Sequence, residues 1–516
     1  MAEMKLKDFL LRAEAAADNA PEYMKTAARP LRVLVIQPPE IAGVRTLLPH
    51  FEEGTESIGY KPPLGILYVA SILKERSIHT VRAVDCIAEQ LTFDQLLSQV
   101  AAFKPDVVGI SAWTDFWHPA WRSGEMIKLA FPHIHLTYGG PHLGIFPEET
   151  LTAPFVDSVI VGDGEIPFLY LCNMLSHGIE DNSFQGLHFK GQGIKPDPDT
   201  FYIHGDLDEL PIPDRTLLPL INYNSVLSKE AFVTTMITSR GCPHQCTFCK
   251  LNFQKTLSRS AESVIEEFRK ISDLGIKEVE IYDDTFTWSK ERLRQICEGL
   301  IRENMNVTWA ARDRVSNVDG DLLALMYKAG CRRIHYGVES GSQDVIDRMK
   351  KRITLDQARD AVRLAKQAGM TVLTYFMFGN LDETIEDMEK TIDFAMALDS
   401  DYAEFSITIP YAGTEMYLEA LEKGIISYDF WGEYARAPVR NFAQPELIET
   451  QADLATLQAM LRKAVLAFYF RPRYILRELM NLGSFIEFVR KIRMGARLLT
   501  SVSCQTEHRD NLGKAS

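Results

Sequence analysis

Three cysteines share one short segment, Arg240-Gly241-Cys242-Pro243-His244-Gln245-Cys246-Thr247-Phe248-Cys249, with the spacing C-x3-C-x2-C. The segment follows a strand-like run, residues 233–239, so we expect the three thiols on one loop. Iron–sulfur clusters are held by cysteine thiolates, and three of them can bind three irons of a [4Fe-4S] cluster. No fourth cysteine lies nearby in the sequence, which would leave one iron open for chemistry.

Two other interpretations of these cysteines were weighed. A Cys3His set is common in structural zinc sites, but His244 lies between the first two cysteines, where it is poorly placed to be a fourth ligand. The cysteines could also be ordinary buried small residues. The spacing, together with the aromatic Phe248 before the third cysteine, favours the cluster.

With Phe248 in place, the loop resembles that of the radical S-adenosylmethionine (SAM) family, whose hallmark is C-x3-C-x-aromatic-C. The resemblance implies that Cys242, Cys246 and Cys249 bind a [4Fe-4S] cluster and that SAM occupies its open iron. SAM would then be cleaved to methionine and a 5′-deoxyadenosyl radical. An external electron donor of the flavodoxin or ferredoxin type is implied as well.

Length and composition set the general class. The chain has 516 residues, of which 46% are apolar and 24% charged, and this predicts a soluble globular protein of about three domains. A net charge of −14 argues against a nucleic-acid partner. Only three of the eight cysteines cluster, the start lacks the apolar core of a secretory signal, and no long apolar run is found. We therefore expect a cytoplasmic protein.

After an N-terminal helical extension, residues 1–30, the segment 31–190 alternates strand-like and helix-like runs. This rhythm predicts an α/β domain with a doubly wound, Rossmann-like parallel sheet. Ligands of such sheets bind outside the carboxyl ends of the strands. Three pieces near those ends resemble the cobalamin-binding domain that precedes the cluster domain in one branch of the radical SAM family: Pro62-Pro63-Leu64-Gly65, Gly139-Gly140-Pro141-His142 and Gly162-Asp163-Gly164-Glu165.

The resemblance implies a cobalamin bound at this edge. The residues implied to contact it are Ser111, Thr114, Gly139, Gly140, Gly162, Gly164 and Glu165. Other cobalamin domains supply a cobalt-ligating histidine from D-x-H-x-x-G after the first strand, whereas here residues 37–43 read Gln-Pro-Pro-Glu-Ile-Ala-Gly. We therefore expect no histidine ligand to cobalt and do not assign that role to His142. The alternative is a sheet domain that has lost its cofactor or binds a nucleotide.

A proline-rich linker, residues 191–230, leads to six further βα units between residues 231 and 425. Six units predict a partial (β/α)6 TIM-like barrel, with its chemistry at the carboxyl ends of the strands. By resemblance, Asp284 and Arg312 would contact the methionine end of SAM, Glu339 the ribose, and the backbone of Phe248 the adenine. The loop at residues 379–384 lacks the proline of the family's G-x-P-x-E-T motif. Candidate general bases at strand ends are Tyr375, Glu404 and Tyr411.

Residues 426–516 form a helical C-terminal region, with helices expected at 454–470 and 474–499. Nine Lys or Arg against two Glu lie between residues 462 and 497. Such a segment suits either peripheral contact with an anionic membrane or a helical cap on the barrel, and we favour the cap.

The resemblance predicts a cobalamin-dependent radical SAM enzyme, and it implies a methyltransferase that acts on an unactivated carbon or phosphorus of a small molecule or natural-product intermediate. Methylcobalamin would carry the methyl group, and the adenosyl radical would activate the substrate. One alternative is a radical cyclase or rearrangement enzyme on the same cofactors, similar to the anaerobic tetrapyrrole cyclase. The other is a non-catalytic cobalamin or redox sensor.

Overall fold

The computed structural model describes residues 6–40, 60–438 and 447–480, apart from positions 197–198, 226, 229, 231, 252–254 and 450. Within these residues, two parallel-type sheets of six strands each follow one another along the chain. The predicted order, a doubly wound domain and then an incomplete barrel, is confirmed. The part of the second predicted C-terminal helix beyond residue 480 lies outside the described residues.

The first sheet has the strand order β2-β1-β3-β4-β5-β6, and its last strand, which the sequence did not predict, runs antiparallel. Two short helices precede it, α1 (Leu6–Asp18) and α2 (Glu22–Lys25). The strands and helices then alternate: β1 (Arg32–Gln37), α3 (Leu64–Arg76), β2 (Thr80–Asp85), α4 (Phe93–Phe103), β3 (Val107–Ser111), α5 (Trp117–Ala130), β4 (His135–Gly139), α6 (Pro147–Thr152), β5 (Ser158–Ile160), α7 (Glu165–Ser176) and β6 (Leu187–Phe189).

The central strands are apolar because helices cover both faces of the sheet. In β1, every residue from Val33 to Gln37 is buried. The strand β1 lies between β2 and β3, so the chain leaves it in one direction and returns on the other side. At such a switch in strand order, the loops after the two strands diverge and leave a crevice where ligands bind. The crevice here opens beside the carboxyl ends of β1 and β3.

The second sheet is a parallel array in the order β14-β13-β12-β11-β10-β7, which follows the order of the sequence. A small antiparallel pair, β8 (Ser239–Arg240) and β9 (Leu257–Ser258), brackets the cysteine segment. The remaining elements are β7 (Val233–Met236), α8 (Ala261–Asp273), β10 (Glu278–Ile281), α9 (Lys290–Arg302), β11 (Thr308–Asp313), α10 (Gly320–Lys328), β12 (Cys331–Glu339), α11 (Gln343–Arg348), α12 (Leu355–Gln367), β13 (Thr371–Phe378), α13 (Ile385–Leu398) and β14 (Tyr402–Ile407).

Helix α8 shows how the sequence sets these elements. The side chain of Ser260 accepts a hydrogen bond from the Ser263 amide at the helix start, which satisfies one of the free N–H groups there. The helix buries Val264, Phe268 and Ile271 against the sheet, at the spacing expected of one helix face. Local sequence signals therefore account for both the start of this helix and its buried face.

Charged side chains fill part of the barrel interior in ion pairs. The guanidinium of Arg333 lies 2.9 Å from a carboxylate oxygen of Glu280 and 3.2 Å from one of Glu278. The ammonium of Lys61, which comes from the first domain, lies 3.5 Å from Glu280. Buried charges are tolerated when they are paired in this way. These pairs tie the first domain to the barrel.

The region after the barrel divides into two parts, which differs from the single C-terminal region expected from residue 426. Helices α14 (Glu415–Glu422) and α15 (Phe430–Arg436) pack with the core of the first domain. The indole of Trp117 donates to the carbonyl of Ala435 at 2.9 Å, and the amide of His118 donates to the Tyr434 hydroxyl at 3.0 Å. This segment therefore returns to the first domain and joins both domains.

Helix α16 (Leu454–Tyr469) instead covers the edge of the barrel, where the hydroxyl of Tyr469 donates to the Ala403 carbonyl at 2.7 Å. Helix α17 (Pro472–Met480) brings basic residues to Asp399, whose carboxylate lies 3.1 Å from Arg471 and 3.6 Å from Arg477. The basic residues described here thus pair with barrel acids, as the cap interpretation expects. In the described part of the chain, no helix combines the length and apolarity needed to cross a membrane.

Candidate active site

The cysteine segment is held at the carboxyl ends of the barrel strands by backbone hydrogen bonds. The amide of Thr247 donates to the Met349 carbonyl at 3.0 Å, and its carbonyl accepts from the Met416 amide at 2.9 Å. The Gly241 amide donates to a carboxylate oxygen of Asp284 at 3.0 Å. The barrel and α14 therefore hold the loop in place through these hydrogen bonds.

The three thiols of the segment differ in exposure. Cys242 is buried, Cys246 is half-buried and Cys249 is exposed. Desolvation, together with Cys246, Asp284 and Cys242, raises the pKa of Cys249 to about 12. Three thiolates crowded together repel one another unless cations compensate their charge, and the irons of a cluster do so.

The cysteine segment is compatible with a cluster, whose ligands need not converge on one ion because each thiolate binds its own iron. Among the described residues, no three His, Cys, Asp or Glu side chains converge on one position that could hold a metal ion.

Two basic side chains beside the cysteines were missed by the sequence analysis. The guanidinium of Arg314 lies 3.7 Å from the sulfur of Cys246, and that arginine is buried. The ammonium of Lys351 lies 5.6 Å from the centre of the Phe248 ring. Arg314 directly follows β11 and stands two residues after Arg312, and this two-residue spacing is a signal that could have found it. Lys351 follows α11, and no local pattern connects it to the site.

Glu339 lies beside the same lysine. Its carboxylate is buried and accepts from the Lys351 ammonium at 2.5 Å. Its backbone has φ = +73°, which is strained for a non-glycine residue. A Cβ added at Gly337 would lie 2.4 Å from the Glu339 carboxylate and 2.9 Å from the Lys351 nitrogen. The absence of a side chain at Gly337 therefore makes room for this ion pair.

Arg312 faces the barrel interior and stacks over Tyr282, with its guanidinium carbon 3.8 Å from the ring centre. Of the predicted SAM residues, Phe248 and Glu339 both lie beside Lys351. Asp284 supports the cysteine loop.

The candidate bases occupy different surroundings. The Tyr375 hydroxyl lies 2.8 Å from a ring nitrogen of His335, and desolvation raises the pKa of this tyrosine to about 12. Glu404 is paired in register with Tyr375 on the neighbouring strand. Desolvation raises the pKa of Glu404, and Arg312 opposes that rise. The Tyr411 hydroxyl accepts from the Asp115 amide at 3.1 Å, which links it to the first domain.

In the loop that lacks the family's proline, Glu383 turns away from the site. One of its carboxylate oxygens accepts from the Asn380 amide at 2.9 Å and from the Asn380 side chain at 3.0 Å. Its other oxygen is buried without a hydrogen-bond partner among the described residues. Desolvation raises the pKa of Glu383 to about 7, against the opposing effect of the Asn380 hydrogen bonds.

We expect Glu383→Gln to stabilise the protein more at pH 8 than at pH 5. The folded state holds a proton on Glu383 more tightly than the unfolded state, whose carboxyl has a pKa of about 4.3. The stability of the native protein therefore falls as pH rises from that value towards 7, and glutamine removes this loss. Melting temperatures of both proteins at the two pH values check it, with the exposed Glu389→Gln as control. An equal difference at both pH values would contradict the expectation.

At the edge of the first sheet, His142 is buried in the core of the first domain. Its ring stacks on Trp117 with centroids 4.2 Å apart, and one ring nitrogen lies 3.2 Å from the Thr114 hydroxyl. Desolvation lowers the pKa of His142 to about 3. The Thr114 side chain is likewise buried, so it supports the loop from within.

The glycines at this edge have different roles. Gly140 has φ = +108°, and a Cβ there would lie 2.7 Å from the Ala112 carbonyl oxygen. Gly162 has φ = +98°, and a Cβ there would lie 2.1 Å from the Tyr202 carbonyl oxygen. Both are therefore required by contacts between chain segments. Around Gly139, no atom lies within 4 Å of the position that a Cβ would take. Gly139 is paired in register with Ser111 on the neighbouring strand.

The loop after β5 meets the cysteine segment directly. Glu165 and Asp163 both form ion pairs with Arg240, at 2.6 and 2.9 Å. Arg240 stands two residues before the first cysteine of the segment. The Arg240 guanidinium thus joins Glu165, which was predicted to contact cobalamin, to the segment that carries the three cysteines.

Comparisons with known proteins agree with this architecture. Residues 236–395 match the model of the radical SAM superfamily, and residues 55–171 match that of the B12-binding domain. An uncharacterized methyltransferase of Pyrococcus horikoshii is 34% identical over 462 residues, covering 88% of this chain and 96% of the relative. The cytidylyl-2-hydroxyethylphosphonate methyltransferase of Streptomyces wedmorensis is 28% identical, covering 70% of this chain and 78% of the relative.

The anaerobic magnesium-protoporphyrin IX monomethyl ester cyclase of Rubrivivax gelatinosus is also 28% identical, covering 78% of this chain and 72% of the relative. Among solved structures, the methyltransferase TsrM of Kitasatospora setae with cobalamin and a [4Fe-4S] cluster bound has a TM-score of 0.63 at 18% identity, covering 82% of this chain and 83% of that one. OxsB with aqua-cobalamin and SAM bound has a TM-score of 0.64 at 18% identity, covering 92% and 72%. These two structures show the same fold.

Proposed function

Because this chain belongs to the radical SAM enzymes that carry an N-terminal B12-binding domain, we propose that it transfers a methyl group to an unactivated carbon, or to phosphorus, of a small molecule. The observation that carries this proposal is the position of the cysteine loop. It is fixed at the strand ends of the barrel, and Arg240 joins it to the cobalamin-type loop of the first domain. The two proposed cofactor regions are therefore joined by one set of ion pairs.

The cofactors that the family uses are a [4Fe-4S] cluster, SAM and cobalamin, and they supply the radical and the methyl group. In this chain, Cys242, Cys246 and Cys249 would hold the cluster. The buried Arg314 places a guanidinium nitrogen 3.7 Å from the Cys246 sulfur, so that it can donate a hydrogen bond to a proposed cluster ligand. The protein's remaining task is to position the reactants and to keep water away from them.

We propose that Glu339 contacts the ribose of SAM and that Phe248 lies near its adenine. A carboxylate accepts hydrogen bonds from both hydroxyls of a ribose, and Glu339 is held in one orientation by Lys351. Asp284 and Arg312 are proposed to bind the amino-acid end of SAM, since an amino group pairs with an acid and a carboxylate with a guanidinium. At the first sheet, Ser111, Gly139, Gly164 and Glu165 are proposed to line the cobalamin site.

Two further parts of the proposal concern partners. A one-electron donor of the flavodoxin or ferredoxin type would reduce the cluster, and a reducing cytoplasm suits a protein with this many free thiols. The basic residues of α16 and α17 are proposed to cap the barrel, because Lys463, Arg471 and Arg477 pair with acids of α13 and of the α13–β14 loop.

The experiment uses anaerobically purified and reconstituted protein with a reductant, cobalamin and methyl-labelled SAM. In an extract of the source cells, we expect 5′-deoxyadenosine and S-adenosylhomocysteine to form and a small molecule to gain the labelled methyl group. The relative that acts as a magnesium-protoporphyrin ester cyclase motivates the second candidate, a cyclase. A product without added label would support it. A sensor protein would form no 5′-deoxyadenosine, and that result would refute the enzyme proposal.

We expect Glu339→Gln to raise the KM for SAM about tenfold or more while the cluster is retained. A hydrogen bond to a charged group contributes about 1.5–3 kcal/mol, and 1.4 kcal/mol corresponds to a factor of ten. Equilibrium binding of SAM and initial rates of 5′-deoxyadenosine formation measure the change. The exposed Glu386→Gln is the matched control. Unchanged affinity for SAM in the Glu339 variant would remove the assigned ribose contact.

A further inference from the structure

The contact between the two cofactor loops is made by one arginine. Arg240 ends strand β8, and its two terminal nitrogens reach different acids: one lies 2.9 Å from Asp163 and the other 2.6 Å from Glu165. The guanidinium also lies 5.3 Å from the centre of the Tyr68 ring on α3. Both acids are largely shielded from solvent, with side-chain exposures of 17% and 6%. Ion pairs that are shielded from solvent in this way are stronger than exposed ones.

The loop that carries the two acids is also fixed from its other side. The Asp163 amide donates to the Tyr202 carbonyl at 2.8 Å, and the second carboxylate oxygen of Asp163 accepts from the His204 amide at 2.9 Å. The loop therefore cannot shift freely. Asp163 is held in place by these contacts, and Arg240 pairs with both acids. A change in the orientation of the Glu165 side chain would therefore move the Arg240 guanidinium.

Glu165 retains one unused hydrogen-bond acceptor. Its residue is 4% exposed, and the oxygen that does not face Arg240 is buried with no partner within the described residues. A buried acceptor without a donor is energetically unfavourable. A ligand in the crevice that offers an N–H or O–H group would remove this cost, and the side-chain amides and hydroxyls of cobalamin are such groups.

We propose that Arg240 is a positioning residue that couples occupancy of the cobalamin site to the geometry of the cluster loop. The bound cofactor orients Glu165 through its free oxygen, Glu165 orients Arg240, and Arg240 fixes the start of the segment that carries Cys242. The proposal rests on the proposed function only in taking cobalamin as the ligand of the first domain. By thermodynamic linkage, if cobalamin binding affects the cluster loop, cluster binding must affect cobalamin affinity by the same factor.

The test compares four states of the full-length protein: with and without cluster, each with and without aquocobalamin. In the native protein, we expect cluster reconstitution to tighten cobalamin binding about fivefold or more, the lower end of common couplings between sites. We also expect cobalamin to slow amide hydrogen exchange in the peptide over residues 238–249 of the cluster-free protein. Neither readout depends on turnover.

In Arg240→Gln, both cofactors should still bind, but the coupling factor should fall to about one and the slowing of exchange should be lost. Glu165→Gln, which keeps the size of the side chain, serves as a second variant should the first fail to fold. Arg240→Lys should restore part of the coupling, since it keeps the charge but not two separate contacts. Arg122→Gln, at an exposed arginine of the same domain, is the control.

Each outcome bears on the proposal. Cobalamin that still slows exchange at residues 238–249 in both Arg240→Gln and Glu165→Gln would overturn it and leave the proposed function intact. Equal coupling in all variants would do the same. A native protein that binds cluster but no cobalamin would overturn both this proposal and the cobalamin part of the proposed function.

Discussion

Replacing Cys246 with alanine should leave a folded protein that holds no intact [4Fe-4S] cluster and no longer cleaves SAM. Cys246 is the central member of the three cysteines, it is half-buried, and the Arg314 guanidinium lies 3.7 Å from its sulfur. Clusters of this kind are bound through cysteine thiolates, and alanine offers no ligand. We expect iron and sulfide contents and the visible absorbance of reconstituted protein to fall to background, and 5′-deoxyadenosine formation with them.

The matched control is Cys297→Ala. Cys297 lies in α9, in the buried core of the barrel, and takes no part in the cysteine loop. The control variant should keep its cluster and its SAM cleavage, although the smaller side chain leaves a small cavity. Full cluster absorbance in the Cys246 variant would show that the three cysteines are not the ligands. Zinc in place of iron in anaerobic preparations of the native protein would lead to the same conclusion.

Much of the fold could be predicted because its strands are buried on both faces. A parallel strand covered by helices on both sides is apolar throughout, as in Val33–Ile36 of β1. Helix α8 repeats its buried residues at helical spacing. Strands β6 and β9 were missed for the opposite reason. They have only three and two residues, too few to show any period.

The site could be predicted only where its residues share a local motif. Cys242, Cys246 and Cys249 are recognisable from spacing alone, whereas Lys351 joins Glu339 and Phe248 through the folded chain. The role of Gly337 follows from the space that this ion pair needs, and no sequence pattern records it. Likewise, the apolar face of α15 does not reveal that its partner is the first domain.

The linker is fixed to the barrel by a buried arginine, a contact that the sequence did not predict. Arg215 lies in the linker and is buried, and its guanidinium lies 2.5 Å from a carboxylate oxygen of Glu267 on α8. Arg259 pairs with the other oxygen of the same carboxylate. Arg215 also donates to the Thr234 hydroxyl at 2.7 Å and to the Thr235 carbonyl at 2.6 Å on β7. Glu267 thus holds two buried arginines together.

Glu267→Gln should therefore destabilise the barrel by about 3–5 kcal/mol, the usual cost of removing one member of a buried ion pair. Glutamine preserves the size of the side chain, so the change reports the loss of charge between two buried guanidinium groups. We expect a clear fall in the melting temperature of the cluster-free protein. The neighbouring Glu266→Gln, whose ion pair with Arg269 is exposed, should have little effect, because exposed pairs contribute little.

The loss of stability in Glu267→Gln should depend on pH. Desolvation alone would raise the pKa of Glu267, but Arg215 and Arg259 outweigh it and hold the pKa below its ordinary value. A carboxyl with a lowered folded-state pKa contributes stability above its unfolded-state pKa, about 4.3, and loses it as pH falls through the folded-state value. The difference in melting temperature between native protein and Glu267→Gln should therefore be full at pH 7 and shrink on acidification below about pH 4. A difference that is small at pH 7, or one that grows with acid, would show that the two arginines do not depend on this carboxylate.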